Sequence, residues 1–204
     1  MRIATWNVNG LRARIDFVRH WLKDRQPDVV GLQELKLPDE QFPHEAFREL
    51  GYHALTHGQK SWNGVAILSR EPAELCRQGL PSQEAAGARL LEAKIGDLRF
   101  ITVYCPNGRS VDNPEFAQKL AWYDSLASYM AARPLTQDTV LCGDFNICPG
   151  ALDSYDAVGL MGCIFHTDAE RQRFASLLGT GLRDVFREQN PDLSAFSWWD
   201  YRAG

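Results

Sequence analysis

The first 33 residues constrain the chain most. Met1 to Trp6 is a short β-prone run that ends in the turn-like Asn7-Val8-Asn9-Gly10. Leu11, Ile15, Val18 and Leu22 then recur at the spacing of one helix face, and Asp28 to Gln33 reads as a second strand. Parallel neighbours cannot be joined by a tight turn, so strand, helix and strand in that order favour a parallel pair with a crossover helix.

The rest of the chain keeps mixing the two element types. Glu45 to Leu50 reads as a helix stopped by Gly51, and Gly64 to Ser69 as a buried strand. Arg89 to Ile95 and Leu98 to Cys105 flank Gly96-Asp97, a two-residue loop suited to a type II′ hairpin. Asn113-Pro114 opens a helix with Asn as N-cap and Pro in the first position, and Leu120, Tyr123, Ala127 and Met130 share one face of it. Thr139 to Asp144 reads as another buried strand, and Thr167 to Glu170 as a capping box ahead of Phe174, Leu177 and Leu178. Gly179 stops that helix, and Phe196 to Trp198 begins a last strand. With no Ser/Gly/Pro linker, repeat or charge block, residues 1–204 read as one layered α/β domain.

Charge leaves the partner open. The net charge is −4, yet residues 1–30 carry six Lys/Arg against three acids, and acids elsewhere that hold a metal would count in the sum as repulsion. Five cysteines without a C-x-x-C pair read as reduced thiols. No signal-peptide pattern opens the chain and no apolar run approaches a membrane span, so the expected location is the cytoplasm, with no membrane partner.

Four strand ends carry the chemistry. Strand-like runs stop at Asn7, at Glu34, at Tyr104 with Asn107 beyond, and at Asp144 with Asn146 beyond. Each has an ordinary reading: Asn7 and Asp144 as turn formers, Glu34 as a solvated acid, Tyr104 as a half-buried aromatic. In α/β sheets, however, strand ends line up along one edge, the usual place for a site. Glu34 and Asp144 with Asn7 and Asn146 offer hard oxygen ligands, which suit Mg²⁺ or Mn²⁺ rather than zinc. Such a cation beside amide and phenol donors is equipment for phosphoryl transfer.

Six segments then resemble, in order, the motifs of the exonuclease III family of apurinic/apyrimidinic endonucleases. They are Trp6-Asn7-Val8-Asn9-Gly10-Leu11-Arg12-Ala13, Leu32-Gln33-Glu34-Leu35-Lys36, Asn63-Gly64-Val65-Ala66-Ile67-Leu68-Ser69, Tyr104-Cys105-Pro106-Asn107-Gly108, Gly143-Asp144-Phe145-Asn146 and Ser197-Trp198-Trp199-Asp200-Tyr201-Arg202. Other metal phosphoesterases of the wider superfamily share the Asn, Glu and Asp-x-Asn pattern. The Asn-Val-Asn-Gly-Leu-Arg-Ala run and the Trp-Trp-Asp-Tyr-Arg segment are what point to DNA repair.

The resemblance implies a four-layered α/β sandwich with two mixed central β-sheets flanked by helices. It implies Mg²⁺-dependent (or Mn²⁺-dependent) hydrolysis 5′ to abasic sites in duplex DNA by a monomer, with activity at 3′ ends. Glu34, Asn7, Asp144 and Asn146 would hold the metal. Tyr104, Asp144 and Asn146 would be catalytic: Asp144 activating water, Asn146 holding water or the scissile phosphate, Tyr104 acting on the phosphate from the opposite side. Arg12, Lys36, Asn107 and Arg109 would touch the DNA backbone, and Trp198 would wall the extruded abasic sugar. Lys36 and Arg109 read equally as solvated charges, and Trp198 as a core tryptophan. A catalytically silent relative that binds nucleic acid remains the other reading.

The family pattern continues past the Trp-Trp segment with an Arg-Ile-Asp strand and a closing Ser-Asp-His turn. Neither follows here, and the chain holds no Asp-His pair. The resemblance therefore implies a domain short of its last strands, weakly active as it stands.

Overall fold

The computed structural model describes residues 1–132 and 138–198, which form two compact units. The first holds Met1–Cys105 and the strand Thr139–Asp144; the second begins at Pro106 and again at Asn146.

The first unit contains two mixed four-stranded sheets. One has strands β1 (Ile3–Asn7), β2 (Val29–Gln33), β3 (His53–His57) and β4 (Val65–Ser69) in the order β1-β2-β4-β3. The other has β5 (Glu74–Gln78), β6 (Leu90–Ile95), β7 (Leu98–Tyr104) and β8 (Thr139–Asp144) in that order. Each sheet holds one parallel pair, β1 with β2 and β7 with β8, and its other neighbours are antiparallel. The crossover between β1 and β2 is helix α1 (Leu11–Arg25), as the opening spacing implies. Ile95 pairs with Leu98 across Gly96, whose φ of +57° suits the first position of a II′ turn.

Alternation along the strands builds two cores. Val30, Leu32, Ala66 and Leu68 face α1 and helix α2 (His44–Arg48), meeting Leu11, Val18, Leu22 and Phe47. Val29, Val65 and Ile67 face the other sheet, meeting Leu91, Ala93 and Phe100. Both faces of β2 and β4 are covered, which is why these strands read as continuous apolar runs. Gly31 permits the close approach of the sheets, since a Cβ there would lie 2.5 Å from Thr102 Oγ1. Beside it Gln33 Nε2 donates to Thr5 Oγ1 (2.9 Å) and Thr102 Oγ1 (2.8 Å), satisfying a buried amide between the layers.

The second unit is helical. α3 (Pro114–Ala131) starts at Asn113, whose side chain accepts from Glu115 N, with Pro in the first turn. α4 (Asp168–Leu178) begins with the Thr167/Glu170 capping box, and Asp184 caps the short α5 (Val185–Gln189). Among the described residues no helix is long and apolar enough to cross a membrane.

Several sequence expectations are corrected. β3 and β5 have no counterpart in the periodicity reading, because β5 is exposed throughout and β3 has no fully buried residue, so neither carries an apolar face. β8 is only half-buried, being paired on the β7 side alone among the described residues. The buried stripe of α3 runs through Lys119, Trp122, Tyr123, Leu126, Tyr129 and Met130, leaving Leu120 and Ala127 half-buried. Phe196 to Trp198 is irregular rather than a strand, and Trp199 to Arg202 lie outside the described residues.

Candidate active site

The carboxyl ends of the two parallel pairs converge. β1 ends at Asn7, β2 runs into Glu34, β7 ends at Tyr104 and β8 at Asp144, with Tyr104 opposite Asp144 in register. The Asn7 amide joins the two sheets: its Nδ2 donates to Glu34 Oε1 at 2.8 Å and to Asp144 Oδ2 at 2.7 Å. Its orientation is settled by Asn9 N, which donates to Asn7 Oδ1 at 2.9 Å. Asn7 thus presents nitrogen to the carboxylates and leaves Glu34 and Asp144 as the anionic oxygens here.

Glu34 stands at φ +55°, a left-handed conformation costing a non-glycine residue roughly 1 kcal/mol. Backbone bonds on both sides hold it there. Gly10 N donates to Glu34 O (2.7 Å), Leu11 N to Leu35 O (3.1 Å), Leu35 N to Gly64 O (3.1 Å) and Lys36 N to Asn63 O (2.9 Å). The Asn-Val-Asn-Gly and Asn-Gly motifs therefore clamp the turn that aims the Glu34 carboxylate.

Burial would raise the Glu34 carboxyl, but hydrogen bonds from Asn7, Lys36 and Tyr104 and the nearby ammonium of Lys36 outweigh it and hold the group below its ordinary value. Lys36 Nζ lies 2.9 Å from Glu34 Oε2 and donates to Asn9 Oδ1 at 2.5 Å. Burial, the Glu34 charge and the bond to Glu34 push the Tyr104 phenol upward, so it is a proton donor at neutral pH.

Arg89 escaped the sequence reading. Its guanidinium lies 4.8 Å from the centroid of the Tyr104 ring, Nη1 donates to Tyr104 O (3.1 Å) and Nε to Ala86 O (2.9 Å). The only trace in sequence is a cation at the mouth of the apolar run Leu90-Leu91. Arg89→Met leaves two carbonyls without these donors, so we expect a loss of about 2 kcal/mol in urea unfolding. Arg89→Lys should recover less than half, because an ammonium cannot both stack and fork. An unchanged midpoint for Arg89→Met would remove Arg89 from the support of Tyr104.

The other sequence candidates are dispersed. Arg12 is exposed and bonds Gln41 in the first unit. In the second unit, Asn107 Oδ1 accepts from Arg109 N (3.0 Å), and Arg109 is exposed and paired with Glu115 at 3.0 Å. Asn146 opens that unit's second segment at φ +49°, two residues beyond Asp144. Trp198 is 67% exposed. His166 is buried, with Nε2 2.9 Å from Ser154 Oγ.

Among the described residues no three His, Cys, Asp or Glu side chains cluster to hold a metal. Two carboxylates tied by one amide have the hard anionic oxygens that fit a cation keeping most of its waters.

Residues 4–203 match the family model described as the Endonuclease/Exonuclease/phosphatase family. The chain belongs to that family. Exodeoxyribonuclease III of Haemophilus influenzae is 36% identical across all of this chain and 81% of its own length. An AP endonuclease from Archaeoglobus fulgidus superposes with a TM-score of 0.95 at 34% identity, covering 99% of this chain and 79% of that one. The 3′ phosphatase NExo from Neisseria, solved with a product DNA hairpin, also gives 0.95, at 38% identity over all of this chain and 80% of that one. Within the family the protein is an enzyme of the exonuclease III and AP endonuclease type, and its two mixed sheets are those of that α/β sandwich.

Proposed function

We propose that this DNA repair nuclease hydrolyses the phosphodiester 5′ to abasic sites in duplex DNA, as a monomer, with 3′-to-5′ exonuclease and 3′-phosphatase activity. The observation that carries the reading is the Asn7 amide bridging Glu34 and Asp144, with the Tyr104 phenol on Glu34. Likeness to the Neisseria 3′ phosphatase supports the activity at 3′ ends.

Glu34 and Asp144 would hold Mg²⁺ or Mn²⁺, which when bound neutralises charge on a non-bridging phosphate oxygen. Asp144 takes the proton of the attacking water, and Asn7 keeps the two carboxylates together. Tyr104 donates to a phosphate oxygen. Lys36 exchanges part of its pairing with Glu34 for the DNA backbone, where Arg12, Asn107 and Arg109 also bind. Asn146 orients the water or phosphate, an assignment carried by the motif match. The exposed Trp198 packs against the extruded sugar; flipping is mild for an abasic nucleotide because no base pair opposes it.

Cleavage of an end-labelled abasic duplex tests the reading. Incision in Mg²⁺ should exceed that in EDTA by about a thousandfold, since such cations stabilise the transition state by several kcal/mol. Equal cutting in both, or binding without turnover, would refute it.

A further inference from the structure

Away from the carboxylates, the second unit holds an ion pair with no exposed surface: Lys119 on α3 and Glu170 on α4, both side chains 0% exposed. An apolar pair of similar volume is often as stable as a buried ion pair, so stability alone is a weak reason for one. Glu170 accepts from Phe165 N (3.1 Å), Thr167 N (3.1 Å) and Thr167 Oγ1 (2.7 Å), which locks it to the start of α4.

Lys119 points the other way. Besides Glu170, its Nζ donates to Asn146 O at 2.6 Å and Asn107 O at 3.2 Å, and it lies 4.7 Å from the centroid of the Phe165 ring. An ammonium carries three donors, and Glu170, Asn146 and Asn107 each supply an oxygen. The loop after Asn107 closes on the lysine stem: a Cβ on Gly108, at φ +85°, would lie 3.1 Å from Lys119 Cδ. Asn146 is itself in the left-handed region, a conformation that needs outside support.

We propose that Lys119 is a positioning residue for the nuclease. Seated by Glu170, its ammonium fixes the main chain at Asn107 and Asn146, the two loops that follow Tyr104 and Asp144 in sequence, and so sets where the Asn107 and Asn146 side chains stand. The inference rests on the functional reading above for the role of those side chains. The binding of both loops by one cation does not.

The test uses the full chain with Lys119→Met/Glu170→Gln, which removes both buried charges together. Melting temperature, steady-state incision of an abasic duplex, and hydrogen exchange of peptides over 107–110 and 146–150 are measured. The melting temperature should fall by only about 5 °C, because the ion pair itself contributes little net stability while the Asn107 and Asn146 carbonyls lose a donor. kcat should fall about a hundredfold, the cost of a misplacement on the order of 1 Å, with KM within about threefold. Exchange in both loops should rise about tenfold while β6 and β7 keep their protection. Recovery of kcat together with stability, or loop exchange unchanged from the native chain, would overturn the proposal. If the double variant does not fold, Lys119→Arg keeps a charge for Glu170 but not the compact ammonium. Faster loop exchange with lowered kcat then supports positioning, and native values of both overturn it. A native chain without incision defeats the functional reading alone, because loop exchange still decides the grip of Lys119.

Discussion

Glu34→Gln is expected to lower incision of an abasic duplex about a thousandfold and to abolish measurable Mg²⁺ or Mn²⁺ binding in calorimetry, while the chain stays folded. The amide keeps the shape of the side chain but removes one of the two charges joined by Asn7. A hard cation binds through anionic oxygen, and Asp144 alone is a weak site. Little stability should be lost. The 2.9 Å contact with Lys36 is partly exposed, and such pairs are worth about 0–1 kcal/mol. Separation of two neighbouring negative charges offsets part of even that, the usual trade between a working site and a stable one. A variant that binds Mn²⁺ within threefold of the native chain and cuts within tenfold would place the cation elsewhere.

Gly143→Ala should be the most damaging single substitution outside the site, costing about 4 kcal/mol or more, or preventing folding. Gly143 lies in β8 beside Asp144 and opposite Val103. At its φ of +146°, a Cβ would fall 1.9 Å from Val103 O and 2.8 Å from Val103 C and N. These are backbone atoms and cannot turn aside. β8 would have to leave β7, breaking the register that sets Asp144 against Tyr104. For a chain of this size the loss corresponds to a melting temperature lower by roughly 10 °C. Gly162→Ala is the control: Gly162 also has positive φ (+75°) but nothing within 4 Å of its Cβ position. Its cost should be only the conformational one, roughly 1 kcal/mol. Equal losses from the two substitutions would show that backbone conformation, and not close approach, makes Gly143 necessary.

Much of the framework was legible because local chemistry carries it. The parallel β1/β2 pair follows from spacing over 33 residues, the β6/β7 hairpin from Gly96-Asp97, and the starts of α3 and α4 from Asn113-Pro114 and Thr167-Glu170. The hairpin and the helix starts rest on contacts within a few residues, and the parallel pair on the periodicity of the one helix that joins its strands. The edge strands β3 and β5 lack that signal. His53–His57 and Glu74–Gln78 are strands because β4 and β6 offer them hydrogen bonds, and their own sequence shows neither alternation nor an apolar run.

The site divides the same way. Asn7, Glu34, Tyr104 and Asp144 were visible as polar residues where strand-like runs stop; four such stops implied one sheet edge, whereas the ends come from two sheets that Asn7 joins. Which atom faces which was not visible. The Asn7 amide gives its nitrogen to the carboxylates because Asn9 N occupies its oxygen, a matter of the fold of one turn. Arg89 and Lys119 carried no motif. Their partners, Tyr104 for one and Asn107, Asn146 and Glu170 for the other, are remote in the chain, and a cation among apolar residues reads as a surface charge until its acceptors are known. Residue identity and spacing thus established most of the elements and which polar residues stand at the strand ends. Only the folded chain decided the partners of each buried polar group, because desolvation makes an unpaired donor or charge costly and tertiary packing selects the acceptor.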